Sequence, residues 1–238
     1  MINIKNLEKR YDDFCLDIEN LEIKDREIFG IVGNNGAGKT TFLRSIMHLI
    51  QPESGEIFID EIDVLKKETP KKEGRLRAYL NEKFLIPYLT PKEYIDITAE
   101  LLQLPEVEVE KALDKYEKLL PENFGEGKKL IRELSTGNKI RTGIIGALLS
   151  SPEYLLLDEP FANLDPTSRK ILNSSLIDLN QEQSTTVVVS SHDIANIADL
   201  CTRVSILERG EIVRDIQASD KSYEELQEYF SVKETKAT

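Results

Sequence analysis

Hydrophobic and polar positions change period twice along the chain, and each change predicts a different kind of element. Ile2, Ile4 and Leu7, then Phe14, Leu16 and Ile18, fall near period two among polar neighbours, which predicts half-buried antiparallel strands. Residues 27–32 are nearly continuously apolar, as a strand covered on both faces is, and run straight into a glycine-rich segment. That junction predicts the first strand of a core βα unit. From Thr90 the period becomes helical: Thr90 is an N-cap, Pro91 a first-turn proline and Glu93 a capping-box acid, and Tyr94, Ile97, Leu101 and Leu104 then recur until Pro105. A second amphipathic stretch, with Ala112, Leu113, Tyr116 and Leu120, ends at Pro121. Residues 82–150 therefore read as a mainly helical insertion. Beyond them, residues 154–157 and 186–189 are apolar β-rich runs, separated by a helix that opens at Asp165-Pro166. Strands alternating with helices predict a parallel α/β sheet.

Composition narrows the function classes. A length of 238 residues suits one large domain or two intimately packed subdomains. Forty-three acidic against 31 basic residues leave a net charge of −12, opposite to the excess that a nucleic-acid binder carries, so no nucleic-acid partner is expected. No apolar run approaches the roughly 20 residues of a spanning helix, and the polar start Met1-Ile2-Asn3-Ile4-Lys5 lacks a signal-peptide core, so a cytoplasmic location is expected. Cys15 and Cys201 are too few and too isolated for a disulfide framework or a zinc site. Residues 231–238 are small and polar and are expected to fray.

Two motifs carry chemistry. Gly33-Asn34-Asn35-Gly36-Ala37-Gly38-Lys39-Thr40 fits G-x-x-x-x-G-K-[ST] and sits between the buried strand and a helical stretch that begins at Thr41. In such a loop the backbone N–H groups turn inward onto phosphate oxygens and the helix N-terminus adds its positive end. Lys39 then supplies a point charge to the β- and γ-phosphates, and the Thr40 hydroxyl a ligand for Mg²⁺. Downstream, residues 154–157 deliver Asp158 and Glu159 to the C-terminal end of a buried strand, where open parallel sheets bind ligands. Asp158 suits the Mg²⁺ shell and Glu159 the polarisation of a water as general base.

The order of further motifs makes the chain similar to the nucleotide-binding domain of the ATP-binding cassette (ABC) family over nearly its whole length. Leu134-Ser135-Thr136-Gly137-Asn138 stands at the place of that family's Leu-Ser-Gly-Gly-Gln signature, Ala162-Asn163-Leu164-Asp165 resembles its D-loop, Ser191-His192-Asp193 its switch histidine, and Tyr11 the aromatic it places against adenine. Each match has a plainer alternative: Ser135 and Gly137 as a helix cap, His192 as a surface histidine, Tyr11 as a strand aromatic. Their shared order is what carries the resemblance. The chain departs from the family at Thr136, at Asn138 and at Glu82, which stands where a glutamine is usual.

The resemblance implies an α/β fold, a P-loop NTPase core with an N-terminal antiparallel β subdomain and a helical insertion. The core would comprise residues 1–81 and 151–222, the helical subdomain 82–150, and a C-terminal helix and tail 223–238. It implies ATP and Mg²⁺ as cofactors, Glu159 and His192 as catalytic residues, and Thr40, Glu82 and Asp158 at the metal. Tyr11, Gly33 to Thr41, Ser135, Gly137, Asn138 and Asp165 would contact nucleotide. The implied partners are a second copy or a paralogous subunit in a head-to-tail dimer, and a separate polytopic permease that holds the chain at the inner face of the membrane. Residues 84–89 form a contact for that permease or pack beneath the helical insertion. A soluble assembly role, such as iron–sulfur cluster biogenesis, is the rival reading.

Overall fold

The computed structural model describes residues 1–66, 75–197 and 199–217. The expected C-terminal helix and tail, 223–238, lie outside the described residues, as do the last five residues of the expected core, 218–222. The chain divides into two compact units, residues 1–69 with 188–238, and residues 70–187. Among the described residues no helix is long and apolar enough to cross a membrane.

In the first unit, β1 (Ile2–Tyr11) and β2 (Phe14–Ile23) form an antiparallel hairpin over the two-residue turn Asp12-Asp13. The other edge of β1 pairs with β4 (Ser54–Ile59), which pairs in turn with the short β5 (Ile62–Asp63). Ile2, Ile4 and Leu7 are all buried even though Leu7 breaks strict alternation. Asn6 takes a left-handed φ of 47°, a conformation asparagine tolerates, and turns Leu7 back to the inner face. β3 (Ile28–Val32) is buried at every position, as its unbroken apolar run predicts, and lies parallel to β9 (Arg203–Glu208). β9 turns at Arg209-Gly210 into the antiparallel β10 (Glu211–Gln217), so the strands are not all parallel as their alternation with helices suggests. The helix α1 (Lys39–Ile46) buries Phe42, Leu43 and Ile46.

One ion network, centred on the buried Arg203, ties these strands together. Arg203 on β9 donates to both carboxylate oxygens of Asp215 and to the carbonyl of Glu22, lies 3.6 Å from Glu27, and faces the Phe29 ring at 5.4 Å. Burial alone would raise the pKa of Asp215, but the hydrogen bonds and charge of Arg203 outweigh it and hold the carboxyl below its ordinary value. A depressed carboxylate contributes stability above its unfolded-state value and loses it as pH falls through the folded-state value. Arg203→Leu would leave the buried Glu27 without this partner, so it is expected to destabilise the protein by about 3 kcal/mol. Urea unfolding at pH 7 measures this, and the gap between wild type and variant should narrow on acidification.

In the second unit, β6 (Leu76–Tyr79) lies parallel to β7 (Tyr154–Leu157), with Tyr79 opposite Leu157. Arg75 just before this strand and Arg77 within it are both held by partners. Arg75 pairs with Glu153, and the Arg77 Nε donates to the Ser150 hydroxyl at 3.2 Å. The helix α2 (Pro91–Leu101) has the predicted capping box, with Glu93 N donating to Thr90 Oγ1 at 3.2 Å and Thr90 N to the Glu93 carboxylate at 2.8 Å. α3 (Glu106–Lys115), α4 (Thr136–Leu148) and α5 (Pro166–Gln183) follow. α4 buries Ile140, Ile144 and Leu148, and Gly143 lets it approach the Tyr79 ring. β8 (Thr186–Ser191) is buried throughout and crosses the boundary between the units.

Residues 84–89 are not uniform in exposure. Phe84, Ile86 and Tyr88 are 55%, 43% and 68% exposed, whereas Leu85 is buried beside Gly143 of α4. Leu85 is therefore a packing residue and not part of any contact surface.

Candidate nucleotide-binding site

The glycine loop is built where the buried β3 ends. Gly33 N donates to Ser191 O at 3.2 Å, Ala37 N to Asn34 O at 3.1 Å, and Gly210 N to Ala37 O at 3.0 Å, so the loop is braced by the end of β8 and by the β9–β10 turn. Gly38, at the start of α1, has φ 110°, and a Cβ there would lie 2.7 Å from the Phe14 ring. Only glycine meets both demands. Lys39 is buried, and its ammonium donates back into the loop, to Gly33 O at 2.6 Å and Asn34 O at 3.3 Å. Asn34, Asn35 and Gly36 are exposed, and Thr40 and Thr41 are half-buried on the first turn of the helix.

A cleft of about 1090 Å³ opens beside this loop, walled by Gly33 to Ala37 and by Asp13, Phe14, Cys15, Arg209 and Val213 among others. It is large enough for a nucleotide-sized molecule. Tyr11 stands just before the hairpin turn, half exposed, with the Lys9 ammonium 5.4 Å from its ring centre and the Phe14 ring at 6.3 Å. Phe14 and the Arg209 turn are cleft residues that the sequence reading did not assign. The pair Asp12-Asp13 between two apolar-alternating runs was the available signal, since a two-residue turn there sets Phe14 opposite Tyr11. His192 is exposed on a turn after β8, where Asp193 N donates to Ser191 Oγ at 3.0 Å and Ala195 N to Asp193 Oδ1 at 2.9 Å.

In the second unit, β7 delivers Asp158 in a buried position, and Asp158 N continues the ladder by donating to Tyr79 O at 2.8 Å. Glu159 follows with φ 49°, a left-handed backbone that is uncommon for a residue with a Cβ. The chain thus turns sharply at the end of the strand. Tyr79 has its hydroxyl pKa pushed up by burial first, then by the charges of Glu82 and Asp158. Glu82 is exposed in a single 3₁₀ turn (Glu82–Phe84), which Asn81 caps through Lys83 N at 2.9 Å.

The signature segment opens α4. Ser135 is its N-cap, with Asn138 N donating to the hydroxyl at 3.3 Å, so the capping role read as an alternative is present. The Asn138 side chain accepts from Arg141 at 3.5 Å. Asp165 caps α5 by accepting from Thr167 N at 2.9 Å and Ser168 N at 3.0 Å, and also from the Ser168 hydroxyl. These bonds, the Ser168 hydroxyl first, hold its carboxyl below the ordinary range.

Thr40, half-buried at the start of α1, and Asp158, buried at the end of β7, each offer a hard oxygen of the kind Mg²⁺ takes. Among the described residues no group of three or more His, Cys, Asp or Glu forms a self-contained metal site.

The family model described as ABC transporter matches residues 16–162. The energy-coupling factor transporter ATP-binding protein EcfA2 of Clostridium tetani is 33% identical over 228 residues, covering 92% of this chain and 79% of that protein. The methionine import ATP-binding protein MetN of Francisella tularensis is 38% identical over 224 residues, covering 89% of this chain. The match takes in 63% of that longer relative. A dimeric ATP-binding cassette solved in a post-hydrolysis state with ADP and Pi has a TM-score of 0.78 at 27% identity, covering 92% of this chain and 99% of its own.

Proposed function

Because this chain belongs to the ABC transporter family, we propose that it is the subunit that binds and hydrolyses ATP to drive a separate membrane permease. ATP binding and hydrolysis coupled to transport are the family's activity. Relatives named for import and energy coupling favour this over a soluble assembly role. The observation that carries the reading is the braced loop from Gly33 to Thr40, opening onto a nucleotide-sized cleft.

In this reading Tyr11 stacks on the adenine, and the loop N–H groups, Lys39 and Thr41 hold the phosphates. Thr40 and Asp158 hold Mg²⁺, with Glu82 nearby in its shell, and the ion when bound offsets charge on the phosphates. Glu159 takes a proton from the attacking water, and His192 stabilises the γ-phosphate. Asp165, the cap of α5, helps to communicate across the dimer. Ser135, Gly137 and Asn138 contact the nucleotide held by a second copy or a paralogous subunit, in a head-to-tail dimer that ATP closes and hydrolysis opens. The exposed Phe84, Ile86 and Tyr88 form the permease contact, which keeps the chain on the cytoplasmic face of the membrane.

Ser135→Arg tests the shared site. Loss of the cap costs only about 1 kcal/mol, so the chain still folds. The variant is expected to lose turnover while its monomer binds a fluorescent ATP analogue as wild type does. A parallel loss of binding and turnover would place Ser135 in its own chain's site and contradict the dimer.

A further inference from the structure

The signature glycine leaves little room for a side chain within its own chain. Gly137 is the second residue of α4, and a Cβ built on it would lie 3.0 Å from the carbonyl oxygen of Asn163 and 3.7 Å from Leu164 Cδ2 of the same chain. The Asn163 carbonyl belongs to the turn that follows Glu159, and this turn has little freedom. Glu159 and Asn163 both have left-handed backbones, φ 49° and 56°. Ala162 N donates to Glu159 O at 3.1 Å, and Arg169 Nε to Leu164 O at 3.0 Å. Phe161 and Leu164 are buried, and Asp165 fixes the far end as the α5 cap. The helix side is equally fixed, because Arg141 donates to the carbonyls of Lys118, Leu119 and Leu120 and to Asn138.

We infer that Gly137 and Asn163 are positioning residues that join the start of α4 to the turn carrying Glu159, so that one displacement moves both. The inference rests on the proposed role of Glu159 in hydrolysis. A phosphate engaged at the N-terminus of α4 then bears on Glu159 of the same chain through the Gly137–Asn163 approach, and a Cβ at 137 displaces the base by meeting the Asn163 carbonyl of its own chain. A few tenths of an ångström of displacement matters, since misplacement by about 1 Å can cost 10²-fold in rate.

The test is a double-variant cycle of Gly137→Ala and Asn163→Gly, read as kcat and KM for Mg-ATP with thermal melts alongside. G137A is expected to lower kcat by about tenfold with KM changed by less than about twofold, because the defect lies in the base and not in substrate binding. Adding N163G removes the Cβ that restrains the left-handed peptide, lets the Asn163 carbonyl tilt away, and restores kcat to within about threefold of wild type. If alanine acts by striking a partner's nucleotide, N163G restores nothing, and that result overturns the inference, as does a G137A protein with wild-type kcat. Should G137A fail to fold, N163G in the same chain must restore the cooperative melt, because the clash is the same one. A wild-type chain without ATPase activity would instead overturn the functional reading on which the inference rests.

Discussion

Glu159→Gln is expected to slow phosphate release by about 10²- to 10⁴-fold, the usual contribution of a general base, while Mg-ATP binding persists. The amide keeps the length and shape of the side chain, so it is compatible with the left-handed turn at this position, but it cannot accept a proton from water. The neighbouring Asp158, buried at the end of β7, is unchanged. The measurement is steady-state phosphate release with saturating Mg-ATP. Undiminished release would remove Glu159 from the chemistry, and loss of ATP binding would make it a binding residue.

Lys39→Ala is expected to have the second large effect, abolishing detectable ATP binding at micromolar nucleotide. The ammonium is buried inside the loop and bridges the Gly33 and Asn34 carbonyls, so truncation removes both the proposed cationic partner of the phosphate and a brace across the loop. A hydrogen bond to a charged group contributes about 1.5–3 kcal/mol, and one such bond is already worth about tenfold or more in affinity. Equilibrium titration with a fluorescent ATP analogue measures the loss. Affinity equal to that of wild type would contradict the assignment.

What the sequence made legible follows from what each signal encodes. Runs buried on both faces, such as Ile28–Val32 and Tyr154–Leu157, were readable because no polar residue interrupts them, and both are strands buried along their whole length. Local capping was readable for the same reason: Thr90 with Glu93 and Asp165 with Pro166 state their own geometry. Tertiary contacts were not. Nothing in residues 84–89 marks Leu85 as the buried one among its exposed neighbours, since α4 reaches it from nearly sixty positions away. The cleft wall at Phe14 and Arg209 depends on two hairpin turns meeting the glycine loop, a contact between segments about twenty or more residues apart at their closest and far more at their widest. In the candidate site, motif spacing named Lys39, Asp158 and Glu159, whereas the packing of Gly137 on the Asn163 carbonyl is visible only in three dimensions.

The shared site is tested most directly by light scattering of the Glu159→Gln protein with and without Mg-ATP. With hydrolysis slowed, ATP should hold two copies together, and the mass should rise from 27.1 kDa to twice that value, falling back when ADP replaces ATP. A mass that stays at one copy, under conditions where bound ATP is measured in the same sample, would contradict it.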